Sequence, residues 1–202
     1  DWSSDVCSSD LISVPSIVQF SPHQHASGLF SKVASASSQR APGLNHQPRI
    51  LIVRPSALGD VFRSVPVATS LRSAFPDARI DWVVQTEFLD AIRGHPSVDA
   101  VVPFPRTDLR GWWRSPEGWR RLRSFAGGLR NGYDLAIDAQ GLGRSGFMCL
   151  ASGAPRRIGY SDAREFGWLG LTDRVKVSDS IHAVDRMLAM LDGADITAVR
   201  DL

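Results

Sequence analysis

From Arg49 onward, short apolar runs of strand length alternate with segments of helical period, and brief turns join them. That rhythm narrows the fold more than any other feature of the chain. "RILIVRP", "RIDWVVQ", "VDAVVPF", "YDLAIDAQ" and "RRIGYSD" read as strands. The first is apolar throughout rather than alternating, as a strand buried on both faces requires. Between the runs, a helix is predicted from about Gly59 to Ala74, with Val61, Phe62, Val65, Leu71 and Phe75 near helical spacing and Pro66 as a bend point. A short helix follows in "TEFLDAIRGHP", with Thr86 as its N-cap. "SPEGWRRLRSFAGGLRNG" is helical, with Ser115 as N-cap and Pro116 at the first helical position. "GRSGFMCLASG" and "IHAVDRMLAMLDGA" are further helices, and His182 at the start of the latter is read as a capping or packing side chain. Strand and helix alternating with short links predict an α/β, Rossmann-like, mainly parallel sheet with helices on both faces.

Composition removes several function classes. No apolar run in the 202 residues approaches the roughly 18–20 needed to span a bilayer. A net charge of +2 is too small to argue for nucleic acid. Cys7 and Cys149 are the only cysteines, so no disulfide framework is expected and a reducing compartment fits. The opening "DWSSDVCSSDL" resembles a translated short-read sequencing adapter and is set aside from fold reasoning. The Ser/Ala/Pro/His-rich stretch that follows has no sustained period. Residues 1–48 are therefore expected to be a disordered or artefactual leader, and His23, His25 and His46 lack the partners and spacing of a metal site.

In open α/β sheets ligands bind beyond the carboxyl ends of the strands. That rule puts "RPSALGD", after the first strand, and "DAQGLGRSG", after the fourth, on the functional edge. The first loop lacks the Lys-Ser/Thr ending of a phosphate-binding Walker loop. Its Asp60 falls in a first helical turn, where the helix dipole favours a carboxylate, so spacing alone makes it a structural helix residue. "GLGRSG" matches a dinucleotide-binding fingerprint, with Asp162 at the expected distance, and would make the chain an NAD- or nucleotide-binding oxidoreductase. It also reads as a tight turn presenting backbone N–H groups and Arg144 to an anion. The stretch from Arg106 to Arg123 interleaves arginines, Arg110 and Arg114 among them, with Trp112, Trp113 and Trp119. This mixture suits an anionic glycan, an anionic membrane or nucleic acid, or else a solvated helix face with its tryptophans in the core.

Taken in order, "ILIVRPSALGDVFRSVPV", "LRSAFPDARIDWVVQ", "YDLAIDAQGLGRSG", "RRIGYSDARE" and "HAVDR" resemble the bacterial lipopolysaccharide heptosyltransferase family, glycosyltransferase family 9. The resemblance covers about residues 49 to 190. It implies the N-terminal half of a GT-B fold: an acceptor-binding domain over residues 49–195 and a C-terminal donor-binding domain beyond Leu202. It also implies an inverting, metal-independent transfer of heptose from ADP-heptose to an acidic sugar acceptor of the lipopolysaccharide inner core. No cofactor is expected besides that nucleotide-sugar donor, and this chain alone is expected to be inactive. In this resemblance Asp60 is the catalytic general base. Ser56, Ala57, Gly59, Arg110, Arg114, Gln140, Gly141 and Arg144 are the acceptor-binding candidates. The expected partners are the donor and a glycolipid acceptor, without nucleic acid. The expected place is the cytoplasm, with peripheral contact at the cytoplasmic face of the inner membrane.

Overall fold

The computed structural model describes residues 47–178 and 182–200. The leader up to residue 46, with Cys7 and the three early histidines, lies outside the described residues, as does Ile181. The elements run β1 (Arg49–Val53), α1 (Leu58–Arg63), α2 (Val65–Ala74), β2 (Arg79–Gln85), β3 (Ala100–Phe104), α3 (Pro116–Leu129), β4 (Leu135–Asp138), α4 (Gly143–Ser152), β5 (Arg156–Tyr160), β6 (Asp173–Val175) and α5 (Ala183–Asp192). Short 3-10 turns at Thr86–Ala91, Trp112–Arg114 and Gly167–Gly170 fill three of the connections.

The six strands among the described residues are all parallel, in the order β3-β2-β1-β4-β5-β6. Successive side chains of β1 point to opposite faces of the sheet. Ile50 and Ile52 therefore join one core with Ile80, Trp82, Val84 and Ile137, covered by α2 through Val67 and Leu71 and by α5 through Met187, Met190 and Leu191. Leu51 and Val53 join the other with Val83 and Ala136, covered by Leu129 of α3 and by Met148 and Cys149 of α4. This double burial explains why β1 reads as an unbroken apolar run. Each fully buried Leu or Ile contributes about 1.5–3 kcal/mol from removal of apolar area from water.

The expected α/β sheet with helices on both faces is what forms, with three local differences. The helix predicted over Gly59–Ala74 is two helices. Pro66, second in α2, has no N–H to continue the ladder, and its ring excludes the preceding turn. Ser64 ends α1 instead, its hydroxyl donating to the Asp60 carbonyl at 2.7 Å. Thr86 is not an N-cap: its hydroxyl donates across the sheet edge to the Phe104 carbonyl at 3.3 Å, and its segment is 3-10. β6 was not expected, being a three-residue edge strand with partly exposed side chains. The caps at the two later helices agree with expectation. Ser115 accepts from the Gly118 N–H at 3.1 Å, and His182 Nδ1 accepts from the Val184 N–H at 3.4 Å. No helix among the described residues is long and apolar enough to cross a membrane.

Candidate active site

The strand order reverses between β1 and β4, so their carboxyl ends flank a topological switch point, where open α/β sheets hold their ligands. The loops expected to carry chemistry leave from these two ends. Their backbones are tied to the sheet: the Ala139 N–H donates to the Val53 carbonyl at 3.2 Å, and the Gln85 N–H to the Pro55 carbonyl at 2.9 Å. The Ser56–Ala57 peptide in the first loop is cis.

Asp60 lies in the first turn of α1 and is partly exposed. Arg54, the residue after β1, places Nη2 3.2 Å from Asp60 Oδ2, and its Nη1 donates to the Ala139 carbonyl. Arg63 reaches Asp60 Oδ1 from the solvent side at 3.6 Å. From the other loop, Arg144 donates through Nη2 to the Ser56 hydroxyl at 3.2 Å. The structure thus puts Ser56 and Arg144 in contact at the switch point, with Asp60 in the helical turn that follows Ser56, and with Ala57 and Gly59 exposed between them. Burial, and then the nearby Arg106 charge, push the Arg144 guanidinium below its ordinary value, which Glu165 partly offsets.

The "GLGRSG" turn does not fit its dinucleotide-binding reading. The backbone donors at its start are turned inward. The Gln140 and Gly141 N–H groups donate to Asp138 Oδ1 at 2.9 and 2.8 Å, and the Leu142 N–H donates to the Ser145 hydroxyl at 3.0 Å. Beyond these, the turn presents the start of α4 and the Arg144 side chain. The glycines serve close backbone packing. A Cβ on Gly143 would meet the Glu165 carbonyl oxygen at 2.5 Å, and one on Gly146 the Gly167 oxygen at 2.0 Å. Protein backbone occupies the approach a pyrophosphate would need, and the turn follows β4 rather than β1, so the dinucleotide reading does not hold.

Asp138, which shapes this turn, is wholly buried at the end of β4. Its Oδ2 has no hydrogen-bond partner. Burial pushes its carboxyl up to about 6, against the pull of the Gly141 N–H, Ser145, the Gln140 N–H and the Arg54 charge. Tyr160, at the end of β5, is pushed up to about 12 by burial. Arg186 of α5 stacks over its ring at 4.4 Å and pairs with Asp162 at 2.6 Å.

Arg110 and Arg114 lie on the β3–α3 connection and are exposed. Arg114 stacks 5.9 Å from the Trp113 ring centroid. Trp113, Trp119, Arg114, Arg120 and Arg123 line a groove of about 660 Å³. Trp113 and Trp119 are exposed, each packed edge-on against Trp112 at 5.9 and 4.3 Å, so they do not anchor the core. Sequence reasoning missed Arg54 as a site residue. A cation directly after a buried apolar run, at the edge where ligands bind, was the available signal. Among the described residues no cluster of three or more His, Cys, Asp or Glu is arranged to hold a metal.

Residues 122–197 match glycosyltransferase family 9 (heptosyltransferase). The chain is 33% identical over 142 residues to lipopolysaccharide heptosyltransferase 1 of Salmonella typhimurium, covering 68% of this chain and 45% of that protein. The same identity and chain coverage hold for the Escherichia coli K12 protein, of which 44% is covered. The chain thus spans under half the length of these relatives. Among solved structures, E. coli heptosyltransferase WaaC with ADP-2-deoxy-2-fluoro heptose superposes with a TM-score of 0.66 at 27% identity, over 76% of this chain and 50% of that one. E. coli ADP-heptose lps heptosyltransferase II shares the fold, with a TM-score of 0.57 at 23% identity over 70% of this chain and 39% of that one. The chain belongs to glycosyltransferase family 9, the family of the heptosyltransferases.

Proposed function

We propose that this chain supplies the acceptor side of an inverting glycosyltransferase that moves heptose from ADP-heptose to an acidic sugar of the lipopolysaccharide inner core. The observation that carries the reading is the Asp60 carboxylate at the switch-point crevice, partly open to solvent and gripped by Arg54. The names of the relatives, and the ADP-heptose analogue in the WaaC structure, support the donor. In the proposed reaction the acceptor hydroxyl oxygen forms its bond to the anomeric carbon as the bond to the diphosphate oxygen breaks on the opposite face. Asp60 takes the hydroxyl proton, and ADP leaves with the bonding electron pair. The transfer needs no metal in this reading, because cationic side chains and helix N-termini neutralise the departing diphosphate. Ser56, Ala57 and Gly59 shape the acceptor pocket beside Gln140 and Gly141, while Arg144, Arg110 and Arg114 meet acceptor carboxylates or phosphates. Donor binding falls to a second domain, as in a protein of the relatives' full length.

In such a full-length protein, Asp60→Ala should lower kcat at least about a hundredfold, the usual contribution of a general base. Undiminished heptose transfer would sink the assignment. The glycolipid acceptor further places the enzyme at the cytoplasmic face of the inner membrane, with the exposed Trp113 and Trp119 and the arginines of their groove toward anionic headgroups. The protein should co-sediment with anionic vesicles and not with neutral ones, and Trp113→Ala with Trp119→Ala should weaken that binding. No preference for anionic vesicles would remove the membrane contact.

A further inference from the structure

We propose that Arg54 is the positioning residue of this site: it fixes the Asp60 carboxylate to the sheet and leaves one oxygen, Oδ1, to accept the proton. The proposal rests on Asp60 being the base. Asp60 sits on a six-residue helix whose N-cap, Ala57, offers no side-chain bond. A helix that short is marginal without outside support, so its backbone alone would hold a catalytic carboxylate loosely. Arg54 supplies the support from both sides of the switch point. It leaves the end of β1, donates to the Ala139 carbonyl just after β4, and reaches Asp60 Oδ2 at 3.2 Å with a side chain only 13% exposed. A cation buried to that degree must be paired, and its pairing closes a β1–β4–α1 triangle. Arg63, the other cation at Asp60, is 58% exposed and lies at 3.6 Å, so it is screened and mobile by comparison. With Oδ2 held by the Arg54 Nη2, Oδ1, faced only by the exposed Arg63, is the oxygen left for an acceptor hydroxyl. Small errors in the orientation of a base cost rate rather than affinity.

The test is a double-mutant cycle in a full-length transferase, with kcat and both KM values measured for Arg54→Met, Asp60→Asn and the pair. Arg54→Met should lower kcat roughly tenfold to a hundredfold with both KM values nearly unchanged, and Arg54→Lys should recover most of the loss. In the Asp60→Asn background Arg54→Met should cost nothing further, because Arg54 acts through that carboxylate. Undiminished kcat in Arg54→Met would overturn the proposal, as would a loss carried by KM or an equal loss in the Asp60→Asn background. If Arg54→Met does not melt cooperatively, Arg54→Gln, which can still donate to the Ala139 carbonyl, carries the same readouts. Failure of both to fold would assign Arg54 to the fold instead. Full activity of Asp60→Asn would instead sink the base assignment. An inactive Asp60→Asn beside a fully active Arg54→Met would sink the Arg54 role alone.

Discussion

Asp138 shows how much a single residue's position can hide from sequence. In "DAQG" it reads as one more polar residue at the end of a strand, yet it is wholly buried, with one oxygen accepting two backbone N–H bonds and the other unpartnered. Burial raises its carboxyl to about 6, whereas in the unfolded chain it titrates near 3.8. Below pH about 4 it is neutral in both states. Between there and about pH 6 unfolding releases a proton, so stability falls as pH rises, and above about 6 the folded state carries the full cost of the buried charge, up to roughly 3 kcal/mol. Asp138→Asn keeps an acceptor for the Gln140 and Gly141 N–H groups without the charge. Urea unfolding of both proteins from pH 4.5 to 8 should show the variant gaining on the wild type as pH rises and levelling off above about 7. A difference flat with pH would show that the carboxyl is not raised. The Arg54–Asp60 pair was only half legible: the cation after β1 was visible, but that its side chain meets a carboxylate six positions on depends on how the β1–α1 loop folds. The action of Arg106 on Arg144 likewise depends on the β3–α3 connection lying near α4.

At the scale of elements, the signals that sequence carries best are those enforced locally. The apolar run of β1, the Ser115–Pro116 helix start and the His182 cap are each set within a few residues, and all three were legible. Pro66 announced an irregularity but not its form, because the break at Ser64 also needs a hydroxyl free to take the Asp60 carbonyl. β6 could not be read at all: three partly exposed residues have no pattern, and their pairing with Ile158–Tyr160 is a tertiary event. "GLGRSG" is the instructive failure. Glycine spacing records where backbone must approach something closely, not what approaches. Here the something is the Glu165–Gly170 segment of the same chain: a Cβ on Gly146 would meet Gly167, and one on Gly170 would meet Gly146. The location of the site survived this error, because the edge rule depends on strand order alone.

For the molecule as a whole, the switch point that opens the crevice also separates the sheet into β3-β2-β1 and β4-β5-β6, and helix α5 with the segment after it spans the two. Met187 Sδ lies 3.2 Å from the Ser64 hydroxyl oxygen at the end of α1, Arg156 of β5 donates to the Ala194 carbonyl at 2.8 Å, and the Val199 N–H donates to the Ser70 hydroxyl of α2 at 2.9 Å. Met190, at the centre of this strap, is fully buried in the core that backs Ile50, Ile80 and Ile137. Met190→Ala should therefore cost about 2–5 kcal/mol from lost contact and the cavity left behind. In a domain of this size that lowers the melting temperature by roughly 5–15 °C. Because the strap touches both halves, amide exchange should accelerate together in β1, β2 and β5 rather than in α5 alone. Faster exchange confined to α5 would mean that the two halves are held by the β1–β4 ladder without it, and that the geometry between Asp60 and Arg144 does not depend on the strap.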